Sequence, residues 1–153
     1  MNKPLTTIDM RSHINRDYYS KKNFFGVFPR NRLPDVFSYP CSYVINTDPS
    51  TQPGEHWLGF YYDKNGNCDF FDSFGNPPSF YGLENYIKLQ STDFCYNSQQ
   101  LQHENSGVCG YYVIHFIQMR SRHFTLSQIV SLFSTEDFKL NDFLIGHITF
   151  NIH

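Results

Sequence analysis

Apolar and aromatic runs alternate with short segments rich in Pro, Gly and polar residues along this chain, a pattern typical of several short strands and a few helices. Strands are predicted over 42–46, 56–63, 68–74 and 94–102. Helices are predicted over 8–19 and 79–90, the second capped by Ser79, and two short helices by capping boxes at Thr125 with Gln128 and at Ser134 with Asp137. The aromatic, Pro-containing segment 24–34 is predicted to be a loop.

The most apolar stretch lies in 101–119, where a polar lead gives way at Val108 to an almost wholly apolar run. This pattern predicts a loop followed by a buried central helix, with Asn105 and Ser106 as candidate N-caps. Cys109 falls in the first turn, where unpaired backbone N–H groups and the helix dipole favour the nucleophilic thiolate. The alternative is an ordinary small core cysteine.

Together these elements predict an α+β fold: one small, mainly antiparallel sheet packed on a central buried helix that carries Cys109. The 153 residues, 40% hydrophobic and 18% aromatic, suit one domain over 1–153. No apolar run has membrane length, so we expect a soluble protein from a reducing compartment, with no membrane partner. The four cysteines form no C-x-x-C pair, which argues against a metal site or a disulfide frame.

Charge is unevenly distributed although the net charge is only −2. Residues 1–34 hold seven Lys or Arg against two Asp, so the rest of the chain is acidic. We expect the basic N-terminal segment 1–23 to dock on this acidic body; contact with nucleic acid or another acidic surface is the alternative.

A hairpin is predicted around Lys64-Asn65-Gly66 because an Asn-Gly pair separates two strand-like runs. Its outer ends carry His56 and Asp72. With a two-residue loop, alternation places these side chains on opposite faces of the sheet. With the three-residue loop 64–66, Asp72 lies opposite Leu58, on the face that His56 shares. A Cys–His–Asp set therefore requires the longer loop or a bulge.

Four motifs in this order carry a family resemblance: NTDPSTQPGEHW (46–57), DSFG (72–75), LQHENSGVCGYY (101–112) and, more weakly, LFSTEDFKLND (132–142). The chain resembles the adenovirus-type cysteine endopeptidases (adenain) and their relatives in Maverick/Polinton elements and virophages, which share a clan with the Ulp-type proteases of ubiquitin-like modifiers. The resemblance spans about residues 24–145.

By position, the resemblance implies Cys109 as the nucleophile, His56 as the general base, Asp72 as the residue that orients His56, and Gln102 as an oxyanion-hole donor. Trp57, beside His56, is either a core aromatic residue or part of a narrow substrate cleft. Asp72 departs from the adenovirus enzymes, which have Glu there, and agrees with the Ulp type. No metal is implied.

The implied function is an endopeptidase that matures viral or transposon capsid proteins by cleaving after small, Gly-containing motifs. Its partners would be capsid or other structural precursors, and it would act as a monomer in the virion and the host cytoplasm or nucleus. The resemblance also allows an activating peptide or DNA as cofactor, but a chain of net charge −2 need not share the DNA requirement. Cys95 is the candidate peptide-linking thiol; the alternative is an ordinary packed cysteine. The alternatives are an isopeptidase for a ubiquitin-like modifier and a catalytically silent capsid-associated module.

Overall fold

A five-stranded sheet in the order β1-β2-β3-β4-β5 forms the centre of the computed structural model, which describes residues 4–48, 56–104 and 106–151. The strands are β1 Phe24–Phe28, β2 Cys41–Asn46, β3 Trp57–Tyr62, β4 Cys68–Phe71 and β5 Phe94–Tyr96. The helices are α1 Thr7–Arg16, α2 Glu84–Gln90, α3 Cys109–Ser121, α4 Leu126–Val130 and α5 Phe138–Asn151, with 3-10 turns at Ser20–Lys22 and Pro78–Tyr81.

The three central strands are antiparallel, whereas β1 pairs parallel with β2 and β5 pairs parallel with β4. The predicted α+β class is confirmed, with parallel pairs added at both edges. The prediction of a loop over 24–34 was wrong in its first half, because Phe24–Phe28 is a strand. Its pairing with β2 shifts register between Phe24 and Val27, where Gly26 adopts a φ of 142°, so no simple alternation marks it.

Helix prediction failed where glycine or a backbone cap intervened. The predicted helix 79–90 is broken at Gly82, whose φ is 70°, so Ser79 caps nothing and α2 begins at Glu84. The N-cap of α3 is Val108 without a side-chain hydrogen bond, not Ser106; Asn105 lies outside the described residues. The capping box of Thr125 and Gln128 is present. At α5, the Asp137 carboxylate accepts the Leu140 N–H.

Each face of the sheet covers its own hydrophobic core. Odd-numbered residues of β3, such as Trp57 and Tyr61, pack with α1, α3, α4 and α5, whereas Leu58, Phe60 and Tyr62 pack with α2 on the other face. Gly59 permits the close approach of α3, since a Cβ there would lie 2.9 Å from the Phe116 ring. Helix α3, which begins at Cys109, is thereby held directly against the middle strand.

The described part of the basic N-terminal segment lies on α3. Leu5, Met10 and Ile14 are buried in the core of that face, and Arg122 at the end of α3 pairs with Asp17. Apolar side chains therefore make most of this contact, with one ion pair at its end. Within the described residues, no helix is long and apolar enough to cross a membrane.

Candidate active site

The hairpin of β3 and β4 has the longer of its two possible loops. Tyr62 pairs with Cys68, and the Asp63 N–H donates to the Asn67 carbonyl at 2.9 Å, so the loop is 64–66. The same register continued by one pair beyond Gly59–Phe71 places Asp72 opposite Leu58. His56 and Asp72 thus share one face at the same end of the sheet, as the three-residue loop requires.

His56 and Asp72 are in direct contact. The His56 Nε2 lies 2.7 Å from the Asp72 Oδ1; the two side chains are 12% and 0% exposed. The Asp72 carboxylate also accepts the Tyr81 hydroxyl at 2.6 Å and the backbone N–H of Phe74 at 3.0 Å. These donors hold the pKa of Asp72 below its usual value even though burial opposes the shift, so the carboxylate stays ionised.

Cys109 begins α3, is 6% exposed and lies close enough to His56 to raise the pKa of that imidazole. Asp72 takes Nε2 of the ring, which leaves Nδ1 as the nitrogen available to the thiol. Burial lowers the pKa of His56, but hydrogen bonds to Asp72 and Cys109 outweigh it and raise the pKa from 6.5 to about 9. The imidazole is therefore held between an anionic orienter and a thiol at a helix N-terminus, the arrangement of an activated cysteine nucleophile.

Gln102 is 1% exposed and its side-chain amide is fully engaged by the surrounding turn and loop. The Ser73 hydroxyl donates to its Oε1 at 2.6 Å. Its Nε2 donates to the carbonyl of Ser106 at 2.8 Å and contacts the Ser106 hydroxyl at 3.1 Å, on the loop that leads into Cys109. The amide NH₂ group therefore binds Ser106, three residues before Cys109 in the chain.

The other two residues singled out from the sequence lie in different settings. Trp57 is 6% exposed and belongs to the core on the α3 face, together with Val108 and Cys109. Cys95 is exposed on the edge strand β5, where its thiol donates to the Asp69 carboxylate at 2.9 Å. Partial burial and that carboxylate raise the pKa of Cys95 to about 12, which disfavours its thiolate at neutral pH.

Three contacts to the site were missed from sequence. Tyr81 binds Asp72 and its ring stacks at 6.2 Å from His56, while the Phe74 ring lies 4.9 Å from His56. Asn97 clamps the backbone of Asp72, accepting its N–H and donating to its carbonyl. Ser73 and Phe74 belong to the DSFG motif, so that motif could have indicated them as neighbours of the site. No motif or periodic pattern in the sequence indicates Tyr81 or Asn97.

No group of three or more His, Cys, Asp or Glu side chains that could hold a metal ion occurs within 4–48, 56–104 and 106–151. The candidate site contains a thiol, an imidazole, a carboxylate and an amide. These groups are able to supply a nucleophile, a proton carrier and a hydrogen-bond donor to a developing oxyanion.

Comparison with known proteins finds viral relatives of the chain. No protein-family model matches the chain. A cysteine protease of African swine fever virus is 28% identical over 112 residues, which cover 64% of this chain and 41% of that protein. The version from another isolate, 27% identical over 116 residues (67% of this chain, 42% of that protein), bears the name SUMO-1 cysteine protease. A protease of fowl adenovirus A is 36% identical over 58 residues, 36% of this chain and 28% of that protein.

In fold, the chain resembles the SUMO protease Ulp1, with a TM-score of 0.50 at 15% identity over 99% of this chain and 80% of the other. The predicted recognition is confirmed: the chain is a homologue of viral cysteine proteases, with the fold of an Ulp-type cysteine protease. The named enzymes among these relatives are cysteine proteases, in agreement with the prediction of that activity. The chain spans less than half the length of the African swine fever virus relatives it matches.

Proposed function

We propose that this protein is a cysteine endopeptidase with Cys109 as nucleophile, His56 as acid–base group and Asp72 as the residue that orients His56. One observation carries the proposal: His56 bonds Asp72 through Nε2 at 2.7 Å, and its raised pKa reflects both that carboxylate and the nearby Cys109 thiol. A histidine that serves packing alone does not need a carboxylate on one side and a helix-N-terminal cysteine on the other. That combination is the requirement of thiol catalysis.

The reaction follows from these positions. The Cys109 sulfur attacks the scissile carbonyl carbon, and the proton that His56 carries passes to the leaving amine as the peptide C–N bond breaks. A water molecule then attacks the thioester while His56 accepts its proton, and the Cys109 sulfur leaves as the acid product is released. Asp72 stays ionised throughout and holds the imidazole in place.

Gln102 is the proposed oxyanion donor, together with the backbone N–H of Cys109. Support comes from its amide Nε2, which binds the Ser106 carbonyl and hydroxyl on the loop that enters α3. To bind the oxyanion, this amide exchanges its longer bond, to the Ser106 hydroxyl, for one to the substrate oxygen. Negative charge develops on the carbonyl oxygen in the transition state, so a fixed N–H donor there acts on kcat; one such donor contributes about 3–4 kcal/mol in comparable sites.

The proposed substrates are capsid or other structural precursors of a virus or transposon, cut after small, Gly-containing motifs. The viral origin of the relatives supports this class of substrate. A role for Trp57 in a narrow cleft stays a prediction; its burial beside Val108 favours a supporting position under the site.

Removal of a ubiquitin-like modifier is the second candidate function. The fold likeness to the SUMO protease Ulp1 and the name SUMO-1 cysteine protease of one viral relative favour it. The third candidate, a silent capsid-associated module, has less support, because a silent copy has no need of a buried His–Asp pair that contacts a cysteine.

The oligomeric state of the protein, its activators and its location in the virion or the host cell are proposals as well. We expect a monomer in the virion and the host cytoplasm or nucleus, with an activating peptide or DNA as optional cofactors. The raised pKa of Cys95 argues against this thiol as a ready partner for a peptide disulfide.

A substrate panel tests the proposed function. The protein is incubated with glycine-containing capsid peptides and with ubiquitin-like modifiers fused to a fluorophore, each beside a Cys109→Ala control. Cleavage of the peptides that requires Cys109 supports the endopeptidase. Cleavage of only the modifier fusions identifies the isopeptidase, and equal signals from protein and control contradict both.

A further inference from the structure

The turn after β4 holds two parts of the candidate site at once. Asp72 at its start binds His56, and Ser73, the next residue, binds Gln102 through both backbone and side chain. The Ser73 carbonyl accepts the N–H groups of Leu101 and Gln102 at 2.9 and 3.0 Å. The base-orienting carboxylate and the proposed oxyanion donor are therefore anchored to consecutive residues.

Chemistry fixes which end of the Gln102 amide points where. The Ser106 backbone carbonyl only accepts hydrogen bonds, so the group 2.8 Å from it is the NH₂ and the oxygen lies on the Ser73 side. The Ser73 hydroxyl, 2.6 Å away, donates to that oxygen. If the amide rotated by half a turn, its oxygen would face the Ser106 carbonyl, which is also an acceptor. The N–H donor would then be lost from the side of the loop that leads into Cys109.

The Ser73 hydroxyl is well placed to prevent that rotation. Ser73 is 0% exposed, so water does not compete for its hydrogen bond. The turn packs closely against the backbone of residues 99–100. A Cβ on Gly75, whose φ is 78°, would lie only 2.9 Å from backbone atoms of Gln99 and Gln100. Asn97 fixes the backbone of Asp72 by two hydrogen bonds. The backbone that carries the Ser73 hydroxyl is therefore held in place.

We propose that Ser73 is a positioning residue of the proposed reaction: its buried hydroxyl locks the Gln102 carboxamide with its oxygen toward Ser73 and its NH₂ toward the loop that leads into Cys109. This inference rests on the proposed function and adds a residue to it. The Ser73 hydroxyl gives its hydrogen bond to Gln102, so its proposed effect on catalysis passes through Gln102.

A kinetic double-mutant cycle tests this dependence, using Ser73→Ala, Gln102→Ala and the double variant on a cleaved peptide. Ser73→Ala is expected to lower kcat about tenfold to a hundredfold with little change in KM, since a donor is misplaced and substrate contacts remain. In the Gln102→Ala background the same change should lower kcat no further. Losses that multiply in the double variant would overturn the proposal.

Stability is separated from positioning by a matched control. Ser20 is also a buried serine, 1% exposed, whose hydroxyl donates to the Ile14 carbonyl at 2.8 Å far from the site. Ser20→Ala should lower the melting temperature as Ser73→Ala does but leave kcat unchanged. Should Ser73→Ala fail to fold, Ser73→Cys fills the same space with a weak donor and is expected to lower kcat; an unchanged kcat there contradicts the lock.

A readout without catalysis distinguishes this proposal from the proposed function. The Gln102 side-chain NH₂ signals in a ¹H–¹⁵N spectrum are assigned by their loss in Gln102→Ala. They should shift or broaden in Ser73→Ala but not in Ser20→Ala. Signals unchanged in Ser73→Ala refute the lock even if peptides are cleaved, whereas shifted signals with no Cys109-dependent cleavage refute only the endopeptidase.

Discussion

At the scale of single residues, the site depends on what His56 touches. Its two partners, Asp72 and Cys109, come from opposite sides of the sheet: the first ends a strand whose even-numbered residues face α2, and the second begins the helix packed on the other face. They meet beyond the strand ends. A buried imidazole between a carboxylate and a thiol can hold a proton to high pH and still deliver it over a short distance.

The pH profile of cleavage should reflect that environment. Because His56 must carry a proton for the leaving amine, kcat/KM is expected to decline at alkaline pH with an apparent pKa of about 9. Asp72→Asn removes the main group that raises the pKa of His56, so the decline should move to lower pH. Asp63→Asn, in the loop of the same hairpin, is the control. An alkaline limb at the same pH in Asp72→Asn would contradict this assignment.

Substitution of Gln102 separates a transition-state donor from a loop anchor. Gln102→Ala should lower kcat about a hundredfold or more with little change in KM, because the oxyanion exists only in the transition state. The lost contacts with Ser73 and Ser106 should also lower its melting temperature, so kinetics are measured on protein shown to be folded. His103→Ala, next in sequence, should be nearly silent. Near-normal kcat in folded Gln102→Ala would leave only the anchoring role.

At the scale of elements, α3 is placed by its contact with the middle strand. Gly59 gives α3 room, and the Phe116 ring that fills it stacks on Phe71 at 4.9 Å. This close approach brings the first turn of the helix level with the strand ends that carry His56 and Asp72. Packing of an ordinary side chain between strand and helix would displace the nucleophile.

Gly59→Ala should therefore destabilise the protein by about 1–3 kcal/mol, as overpacking does in a filled core. Combining it with Phe116→Leu, which removes ring atoms at the contact, should cost less than the two single changes added together. Urea unfolding of the wild type, both single variants and the double variant measures the coupling. Simple additivity would show that the contact does not limit the approach of α3.

The sequence predicted those elements whose periodicity is local. The β2, β3 and β4 runs, the Asn-Gly hairpin and the apolar α3 were found because their patterns need no distant partner. Strand β1 was missed because Gly26 and a register shift remove its alternation, and helix 79–90 was overextended because Gly82 in a left-handed conformation is invisible to a periodicity count.

For the candidate site, motif spacing brought together His56, Asp72, Cys109 and Gln102, and register decided the face of the first two. The sequence did not predict the residues that support Asp72. Tyr81 reaches Asp72 from a 3-10 turn, and Asn97 reaches the same residue from the loop after β5. Such contacts depend on how separate segments pack, which no local pattern encodes.

At the scale of the whole molecule, two cores stabilise one sheet, and the core on the α3 face contains an unusual group. His115, in the middle of α3, is 2% exposed; neither ring nitrogen has a hydrogen-bond partner, and its ring lies 6.0 Å from that of Phe133. Burial, with a smaller effect of the Arg122 charge, lowers the pKa of His115 to about 4. Between about pH 4 and pH 6.5, His115 is therefore neutral in the folded protein but protonated in the unfolded chain.

Acid should consequently destabilise the protein through His115. Below pH 6.5 His115 binds a proton in the unfolded chain, but in the folded protein it does so only below about pH 4. The free energy of unfolding therefore falls by about 3 kcal/mol as the pH drops through this range. His115→Phe should remove this loss, so the variant gains stability relative to wild type as pH falls from 7 to 4. Thermal melts across that range measure it. A constant difference between the two proteins would contradict a neutral, buried His115.

The central claim, that Cys109 is a nucleophile activated by His56, is tested most directly by covalent labelling with a glycine peptide that ends in a vinyl sulfone. Burial raises the pKa values of Cys41 and Cys68, and desolvation together with the Asp69 carboxylate raises that of Cys95, so these cysteines serve as internal controls. Intact mass and peptide mapping should show one adduct per chain, on Cys109, that forms much more slowly in His56→Ala. Label spread over several cysteines, or an equal rate in His56→Ala, would contradict the account.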